Sequence, residues 1–317
     1  MMNKLFPLVF ACLASVASAS PEQDATALDP ARLQLSSANV LVIDAVGGAP
    51  IYSKAADEIT SIASLTKLMT AMVVLDADPS LDEVIEVDMN DFDFLKGSSS
   101  RLRLGTQLPR REMLRLALMS SENRAASSVA RSYPGGTPAF VAAMNAKARA
   151  LGMTRSRFAD PTGLSPSNVS TANDLAKMVR AAAEYPLIRE YSTTPSAYVE
   201  VDPAGRMLGF NNSNRLVASE NWQITLQKTG YIREAGRCLV MLVNIASKPV
   251  VIVLLDSIGK YTRLGDAERV KQWMETGDGM PAVIKRVVTK SRSATAKSGK
   301  GVRGTLRPLA SVKARNR

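Results

Sequence analysis

The stretch SLTKLMTAMVVLD, residues 64–76, places a serine three residues before a lysine at the head of an apolar run. Ser64 and Lys67 share a face if this stretch is helical, because residues three apart are neighbours on a helix surface. A serine hydroxyl becomes a nucleophile when a base takes its proton, and a lysine amine can be that base if burial or a second cation keeps it neutral. The stretch therefore predicts a buried helix that carries a nucleophile and its base.

Two further motifs support this interpretation. Ser-Glu-Asn at residues 121–123 ends an apolar helical stretch, and Lys-Thr-Gly at residues 228–230 precedes strand-like sequence. Short patterns of this kind also arise by chance, and Ser-Ile-Gly-Lys at residues 257–260 repeats the spacing of the first motif. That repeat comes too late in the chain to begin the series. Order and context therefore favour Ser64 as the nucleophile.

The composition excludes several catalytic classes. The chain has 317 residues, of which 46% are hydrophobic, and it contains no histidine. Ser-His-Asp triads, His-containing zinc sites and Cys-His dyads are therefore impossible. A hydrolase built from this chain needs another base, for which lysine is the obvious candidate, and we expect neither a metal nor another cofactor.

The hydrophobic periodicity changes along the chain and predicts an α+β fold. The middle, residues 62–190, reads as helical, with Thr137 and Thr171 as N-caps and Pro186 beyond the end of the last helix. Both ends carry apolar, β-branched runs typical of strands. These strand runs are residues 40–43, 50–52, 224–231, 238–245 and 250–255, and a closing helix is expected at 267–276. We therefore expect an antiparallel sheet made from both ends of the chain, flanked by helices, with a helical subdomain inserted.

The N-terminus is typical of a signal peptide. A lysine precedes a short apolar core, and Ala17-Ser-Ala19 offers a small-residue cleavage site. Cleavage after Ala19 would remove Cys12 and leave Cys238 as the one cysteine of a periplasmic protein. The expected organisation is a signal peptide at 1–19, a linker at 20–38, a catalytic domain at 39–276 and a basic tail at 277–317.

The net charge of +11 resides in the C-terminal tail. Residues 285–317 contain eleven Lys or Arg and no acid, whereas the remainder has 29 basic and 29 acidic residues. Such a segment is expected to be disordered and to bind an anionic polymer of the cell envelope. We expect no nucleic-acid partner, because the signal peptide predicts export.

Together the motifs resemble the low-molecular-mass penicillin-binding proteins of the D-alanyl-D-alanine carboxypeptidase/endopeptidase family. The resemblance covers about residues 35–275 and also includes DPTGLSPSNVSTANDLAKM at 160–178, for which we predict no catalytic role. The forms SSENRAA at 120–126 and YIREAGRC at 231–238 are most similar to the periplasmic D-alanyl-D-alanine endopeptidase branch.

The resemblance implies a penicillin-binding/β-lactamase-like fold, peptidoglycan peptides as substrate and covalent inhibition by β-lactams. It also implies a role for each motif residue. Ser64 would be the acylated nucleophile and Lys67 its base, while Ser121 would relay a proton to the leaving amine and Asn123 would hold Lys67 and the substrate. Lys228 would supply a second cation, Thr229 would hydrogen-bond a substrate carboxylate or amide, and Gly230 would allow close approach of the substrate. The backbone amides of Ser64 and Tyr231 would donate hydrogen bonds to the oxyanion.

Alternatives to an endopeptidase remain open from the sequence. A D-alanyl-D-alanine carboxypeptidase uses the same motifs. A serine β-lactamase also does, but no Glu-x-x-Leu-Asn segment that would activate the deacylating water lies between Ser121 and Lys228. A non-catalytic envelope-binding protein that acts through its basic tail would make the three motifs coincidental.

Overall fold

The computed structural model describes residues 28–93, 96–201 and 205–278. The expected signal peptide and the basic segment 285–317 lie outside these residues. The strands are β1 (Ser37–Asp44), β2 (Pro50–Lys54), β3 (Thr60–Ser61), β4 (Val84–Glu86), β5 (Gln107–Pro109), β6 (Val169–Ser170), β7 (Ser196–Glu200), β8 (Met207–Asn211), β9 (Gln223–Ile232), β10 (Gly236–Ile245) and β11 (Lys248–Ser257). The helices are α1 (Thr66–Asp76), α2 (Arg110–Met119), α3 (Asn123–Arg131), α4 (Gly136–Ala150), α5 (Ala172–Ala183), α6 (Pro186–Thr193) and α7 (Thr262–Thr276).

Strands from both ends of the chain form one antiparallel sheet, as the sequence predicted. Its order is β2-β1-β11-β10-β9, so the N-terminal hairpin pairs with the last strand through contacts such as Val42 opposite Ile252. The inner strands are apolar through their central residues because both faces of the sheet are covered. Strand β9 lies at an edge and passes beside the turn that carries Ser64.

Two apolar cores cover the two faces of the sheet. Alternation along β1 sends Leu41 and Ile43 into the core shared with the helical subdomain, and Val40 and Val42 into the core shared with α7. Trp273 of α7 is fully buried in the second core. The molecule is thus layered as helices, sheet and helix, and the predicted α+β class with an inserted helical subdomain is confirmed.

Several boundaries differ from the sequence prediction. Thr171 caps α5 by accepting a hydrogen bond from the Asp174 amide, but α4 begins before Thr137, behind Gly135 in a left-handed conformation. Pro186 begins a further helix, α6, because its fixed φ suits a first helical turn. The hairpin β7–β8 was not predicted.

The N-terminal boundary also needs correction. The segment expected as a linker at 20–38 is packed against the sheet in its described part, where Leu33 and Leu35 are buried. Asp266 of α7 accepts hydrogen bonds from the Ser37 amide and hydroxyl, both at 2.7 Å. The tie to α7 joins residues 229 positions apart in sequence, which is why local composition did not reveal it.

None of the helices within the described residues is both long and apolar enough to cross a membrane.

Candidate active site

Ser64 lies where the chain turns from β3 into α1. A single 3₁₀ turn, Ala63–Leu65, precedes the helix, and Ala63 has a left-handed φ of +48°. Such a conformation is strained for a residue with a side chain and persists only when its surroundings impose it. Gly163 is one cause, because a Cβ there would lie 2.0 Å from the Ala63 carbonyl oxygen. The serine is therefore held at the positive N-terminal end of α1 by backbone packing.

Lys67 Nζ contacts three oxygen atoms. It lies 3.0 Å from Ser64 Oγ, 2.7 Å from Asn123 Oδ1 and 2.6 Å from the carbonyl oxygen of Thr162. The two carbonyl-type oxygens can only accept hydrogen bonds, whereas the hydroxyl can also donate one. A neutral amine has two N–H bonds and one lone pair. If Asn123 and Thr162 take the N–H bonds, the lone pair is directed at Ser64, which is the geometry a general base requires.

Burial makes the neutral amine accessible near physiological pH. Lys67 is fully buried. Desolvation lowers its pKa from 10.5 to about 7, against the opposing effects of the Asp160 and Glu122 carboxylates, which raise it. A base whose pKa lies near the working pH combines availability with basicity.

The pKa of the second lysine, Lys228, is lowered as well. Lys228 is also fully buried, and its pKa is lowered well below 10.5 by burial first and then by Lys67 and Arg263. Burial, rather than a charge on Lys228, is the main cause of the lowered pKa of Lys67, and the two amines disfavour simultaneous protonation.

The loop 160–168 supplies a catalytic-site contact that the sequence analysis missed. Asp160 accepts hydrogen bonds from three backbone amides and from the Thr162 hydroxyl, at 2.5–2.7 Å. Asn168 ties the loop to the helix by donating to Thr66 Oγ1 at 2.9 Å. These contacts present the Thr162 carbonyl to Lys67. The Asp-Pro-Thr-Gly sequence is typical of such a turn. However, Lys67, which contacts the Thr162 carbonyl oxygen, lies 95 residues away in sequence.

Ser121 and Asn123 lie in the bend between α2 and α3. Ser121 has a left-handed φ of +63°. Asn123 begins α3, and its side-chain Nδ2 donates a hydrogen bond to Ser98 Oγ at 3.1 Å. Within the part of the chain that the structure describes, Ser121 Oγ makes no hydrogen bond to Ser64 or Lys67. Glu122, the middle residue of the motif, is buried and accepts a hydrogen bond from Ser100.

Strand β9, which carries the third motif, lies beside Ser64. A Cβ on Gly230 would lie 3.2 Å from the Ser64 amide nitrogen and 3.0 Å from the Ile62 carbonyl oxygen, so the strand passes directly beside the serine. Thr229 donates a hydrogen bond to Ser213 Oγ at 2.8 Å. Tyr231, the next residue along the strand, has a side chain that is 56% exposed.

Two further contacts of strand β9 were not predicted from the sequence. Lys228 donates to the Thr229 carbonyl at 2.9 Å, and Arg263 of α7 donates to the Gly230 carbonyl at 3.2 Å. Neither Ser213 nor Arg263 lies in a recognisable motif, and only the tertiary fold brings them to β9.

Strand β9 passes beside Ser64, and the Ser121–Asn123 bend reaches the same group of residues through the contact of Asn123 with Lys67. The arrangement offers a nucleophile, a buried amine, backbone donors and hydroxyl groups. No group of three or more acidic or cysteine side chains that could hold a metal ion is found in the described residues. The chemistry that these groups can perform is acyl transfer through the serine.

Residues 23–259 match the model of the D-alanyl-D-alanine carboxypeptidase family, peptidase family S11. The chain is 48% identical to a D-alanyl-D-alanine endopeptidase of Pseudomonas aeruginosa over 90% of this chain and 93% of that protein. It is 44% identical to a D-alanyl-D-alanine endopeptidase of Escherichia coli over 94% and 96% of the two chains. The structure superposes on the DD-transpeptidase of Streptomyces K15 with a TM-score of 0.71 at 26% identity, covering 76% of this chain and 97% of that chain.

Proposed function

Because this chain belongs to the D-alanyl-D-alanine carboxypeptidase family, we propose that it is a serine D,D-peptidase that cleaves D-alanyl peptide bonds in peptidoglycan cross-links. The reaction proceeds through an acyl-enzyme on Ser64. The observation that carries this proposal is the Lys67 amine, fully buried and held by two carbonyl oxygens with its third direction toward Ser64 Oγ.

Acylation begins with attack of Ser64 Oγ on the D-alanyl carbonyl carbon while Lys67 takes the hydroxyl proton. The oxyanion receives hydrogen bonds from the backbone amides of Ser64 and Tyr231. The close passage of β9 beside Ser64 at Gly230, the residue before Tyr231, supports this assignment. Loss of one such donor typically costs about 10²–10³ in rate.

The C–N bond then breaks, and the proton passes from Lys67 through Ser121 to the leaving amine. In this proposal the Ser121 hydroxyl relays the proton, supported by the contact that Asn123, two residues further along the same bend, makes with Lys67 Nζ at 2.7 Å. Thr229 hydrogen-bonds the carboxylate beside the leaving amine, and the nearby buried Lys228 favours an anion there when it carries a proton. The product is an ester of Ser64.

Deacylation reverses these roles. Water attacks the ester, Lys67 accepts a proton from it, and Ser64 leaves with a proton returned. A β-lactam enters the same sequence but stays covalently attached to Ser64 after its ring opens. β-Lactams are therefore expected to be covalent inhibitors.

The preferred bond is the peptide cross-link rather than a free D-alanyl-D-alanine terminus. Support comes from the relatives named above as endopeptidases, at 48% and 44% identity, whereas a D-alanyl-D-alanine carboxypeptidase of Escherichia coli is 28% identical. The carboxypeptidase reaction uses the same site and is the second candidate.

Digestion of purified cross-linked muropeptides tests the proposal. We expect wild-type protein to convert dimers to monomers that retain their terminal D-alanine, and Ser64→Ala to convert none. Release of free D-alanine without loss of dimers would instead assign the carboxypeptidase reaction. Intact substrates with both proteins would overturn the proposal.

The cellular context follows from segments outside the described residues. We place the enzyme in the periplasm on the strength of the signal-peptide pattern at 1–19, with the catalytic domain proposed for 39–276. The basic segment 285–317 is suited to an anionic envelope polymer, and its sign complements such a partner.

A further inference from the structure

The hairpin formed by β7 and β8 has a buried face and an exposed face. Side chains alternate between the two faces along each strand. Ala197, Val199 and Phe210 are buried in the core that the sheet shares with the helices. On the opposite face, Tyr198 is 73% exposed and Met207 is 52% exposed. The core therefore accounts for the first set of side chains and leaves two large apolar residues facing solvent.

The ring of Tyr198 covers Gly209, its partner across the hairpin. A Cβ on Gly209 would lie 3.0–3.4 Å from three atoms of the ring, Cδ1, Cε1 and Cζ, so the ring packs against the glycine backbone. An aromatic residue that covers a cross-strand glycine stabilises the strand pairing and fixes the orientation of its own ring. Because most of the ring is still exposed, a ligand can pack on it without first ordering it, which favours binding.

The exposed face of the hairpin suits an N-acetylated amino sugar. The face of an aromatic ring is apolar and electron-rich, and one side of a pyranose ring presents C–H groups that can pack against it. Ser196 and Asn211 form the next exposed pair, two residues from Tyr198 and Gly209. Their hydroxyl and amide groups can hydrogen-bond sugar hydroxyls, and Met207 offers an apolar contact to an N-acetyl methyl group.

The base of the hairpin is fixed beside the catalytic strand. Asn212, directly after β8, accepts a hydrogen bond from Gln227 Nε2 of β9 at 2.9 Å. Ser213 follows and accepts a hydrogen bond from the Thr229 hydroxyl at 2.8 Å. Gly209 lies four residues before Ser213, and four extended residues span at most about 14 Å. The ring over Gly209 is therefore close enough to contact a large substrate that is bound at Thr229.

The proposed function, on which this inference rests, places the leaving amine on the Thr229 side of Ser64. In a carboxypeptidase reaction the leaving group is a single D-alanine. In a cross-link it is a second stem peptide, which is attached to its own strand of N-acetylated amino sugars. About two residues and one side chain separate the leaving amine from that strand, a span of about 10–15 Å. This span is comparable to the distance between Thr229 and the ring on the hairpin.

We propose that the exposed face of the β7–β8 hairpin binds the sugar chain on the leaving half of a cross-link, with Tyr198 stacked on one sugar ring. A free D-alanyl-D-alanine terminus carries no sugar on that side and gains nothing from this contact. The contact is the same in the ground state and in the transition state, so it lowers KM and leaves kcat unchanged. The hairpin thereby contributes to the preference for cross-links.

The test uses three soluble peptide dimers that are joined by the same D-alanyl cross-link. The first carries a disaccharide on the leaving half, the second carries it on the acyl half, and the third carries no sugar. With wild-type protein we expect KM to be about three- to tenfold lower for the first dimer than for the other two, as for a stacked aromatic contact. The value of kcat should be equal for all three.

The variant Tyr198→Leu keeps an apolar side chain but removes the flat ring, whereas Tyr198→Phe keeps the ring. Tyr198→Leu should raise KM for the first dimer to the value of the sugar-free dimer, and Tyr198→Phe should retain the wild-type KM. Val84→Ala is the matched control, because Val84 is 58% exposed on another two-stranded sheet, β4–β5, and should leave every constant unchanged. Acylation by benzylpenicillin should be the same in all these proteins, which would verify their folding.

Three results would overturn the subsite. The first is a Tyr198→Leu protein that retains the low KM for the first dimer. The second is an equal rise in KM for all three dimers, which would mean that the ring only supports the hairpin. The third is a wild-type protein that does not favour the first dimer.

Peptide-free glycan chains make the test independent of catalysis. Titration calorimetry should show weaker binding of these chains to Tyr198→Leu than to wild-type protein and Tyr198→Phe, and equal binding by all three would also overturn the subsite. If wild-type protein cleaves no dimer and is not acylated by penicillin, the proposed function fails, and this binding measurement still decides whether Tyr198 holds a sugar.

Discussion

At the residue level the proposed acylation of Ser64 depends on whether Lys67 carries a proton. The amine contacts Ser64, Asn123 and Thr162, and burial lowers its pKa to about 7. An arginine at this position would keep a charge but could not give up its proton in a protein. The local geometry and the burial together make lysine the base.

Lys67→Arg should therefore lower the acylation rate by about 10²–10⁴, the usual contribution of a general base. The measurement is stopped-flow acylation by a chromogenic or fluorescent penicillin, with circular dichroism to verify the fold. A near wild-type rate in the arginine variant would eliminate the lysine base.

The pH dependence of acylation should report the same amine. Lys67 acts as a base when neutral, so the rate should rise as pH increases through about 7. The Glu122 and Asp160 carboxylates both favour the protonated amine and raise its pKa, and burial is the cause that lowers it. Glu122→Gln removes one negative charge and retains an acceptor for Ser100. Its rate profile should therefore shift to lower pH.

Rate constants measured from pH 5 to 9 would give that shift, with Glu275→Gln on α7 as a control whose profile stays in place. A Glu122→Gln profile identical to wild type would show that this carboxylate does not act on Lys67. A shift to higher pH would reverse the sign of the proposed electrostatics.

At the level of elements, the close approach of β9 to the turn at Ser64 builds the proposed oxyanion site. A Cβ on Gly230 would meet the Ile62 carbonyl at 3.0 Å and the Ser64 amide at 3.2 Å, and neither backbone atom can rotate away. Gly230→Ala should push the strand outward and reduce acylation by about 10²–10³, as for loss of an oxyanion donor.

Gly265→Ala is the matched control. Its added Cβ lies 3.6 Å from its nearest neighbour, the end of the Arg269 side chain, within α7. An alanine in a helix interior should raise the free energy of unfolding by about 0.5–1 kcal/mol and leave acylation unchanged. Wild-type acylation by a folded Gly230→Ala protein would contradict the proposed role of β9.

The sequence predicted most elements because their signals are local. The apolar runs within β10 and β11 are continuous, from Cys238 to Val243 and from Val250 to Leu255, and Thr171 caps its helix within four residues. The helix α6 was missed because its first residue, Pro186, reads equally as a helix stop. The Thr162 carbonyl was missed because a backbone atom carries no residue-type signal, and only the fold aims it at Lys67.

At the level of the whole molecule, the first and last parts of the described residues pack together in one sheet and one core. The N-terminal hairpin pairs with β11, and α7 anchors Ser37 through Asp266. This long-range closure explains why the segment before residue 39 is part of the folded domain although composition suggested a linker.

The basic segment 285–317 should affect location without affecting chemistry. Deleting it removes eleven positive charges and no proposed catalytic residue, so acylation by soluble penicillin should be unchanged. Sedimentation with purified sacculi at low salt should weaken, and high salt should weaken the full-length protein in the same way, because salt screens exposed charges. Equal sedimentation of both forms at low salt would leave this segment without the proposed role.

The most direct test of the central claim is to locate the penicillin adduct. Protein labelled with benzylpenicillin would be digested, and the modified peptide sequenced by mass spectrometry. The account predicts one adduct, on Ser64, with Ser64→Ala unlabelled yet folded. An adduct on another residue, for example Ser257 in the repeated Ser-x-x-Lys pattern, or undiminished labelling of Ser64→Ala, would contradict it.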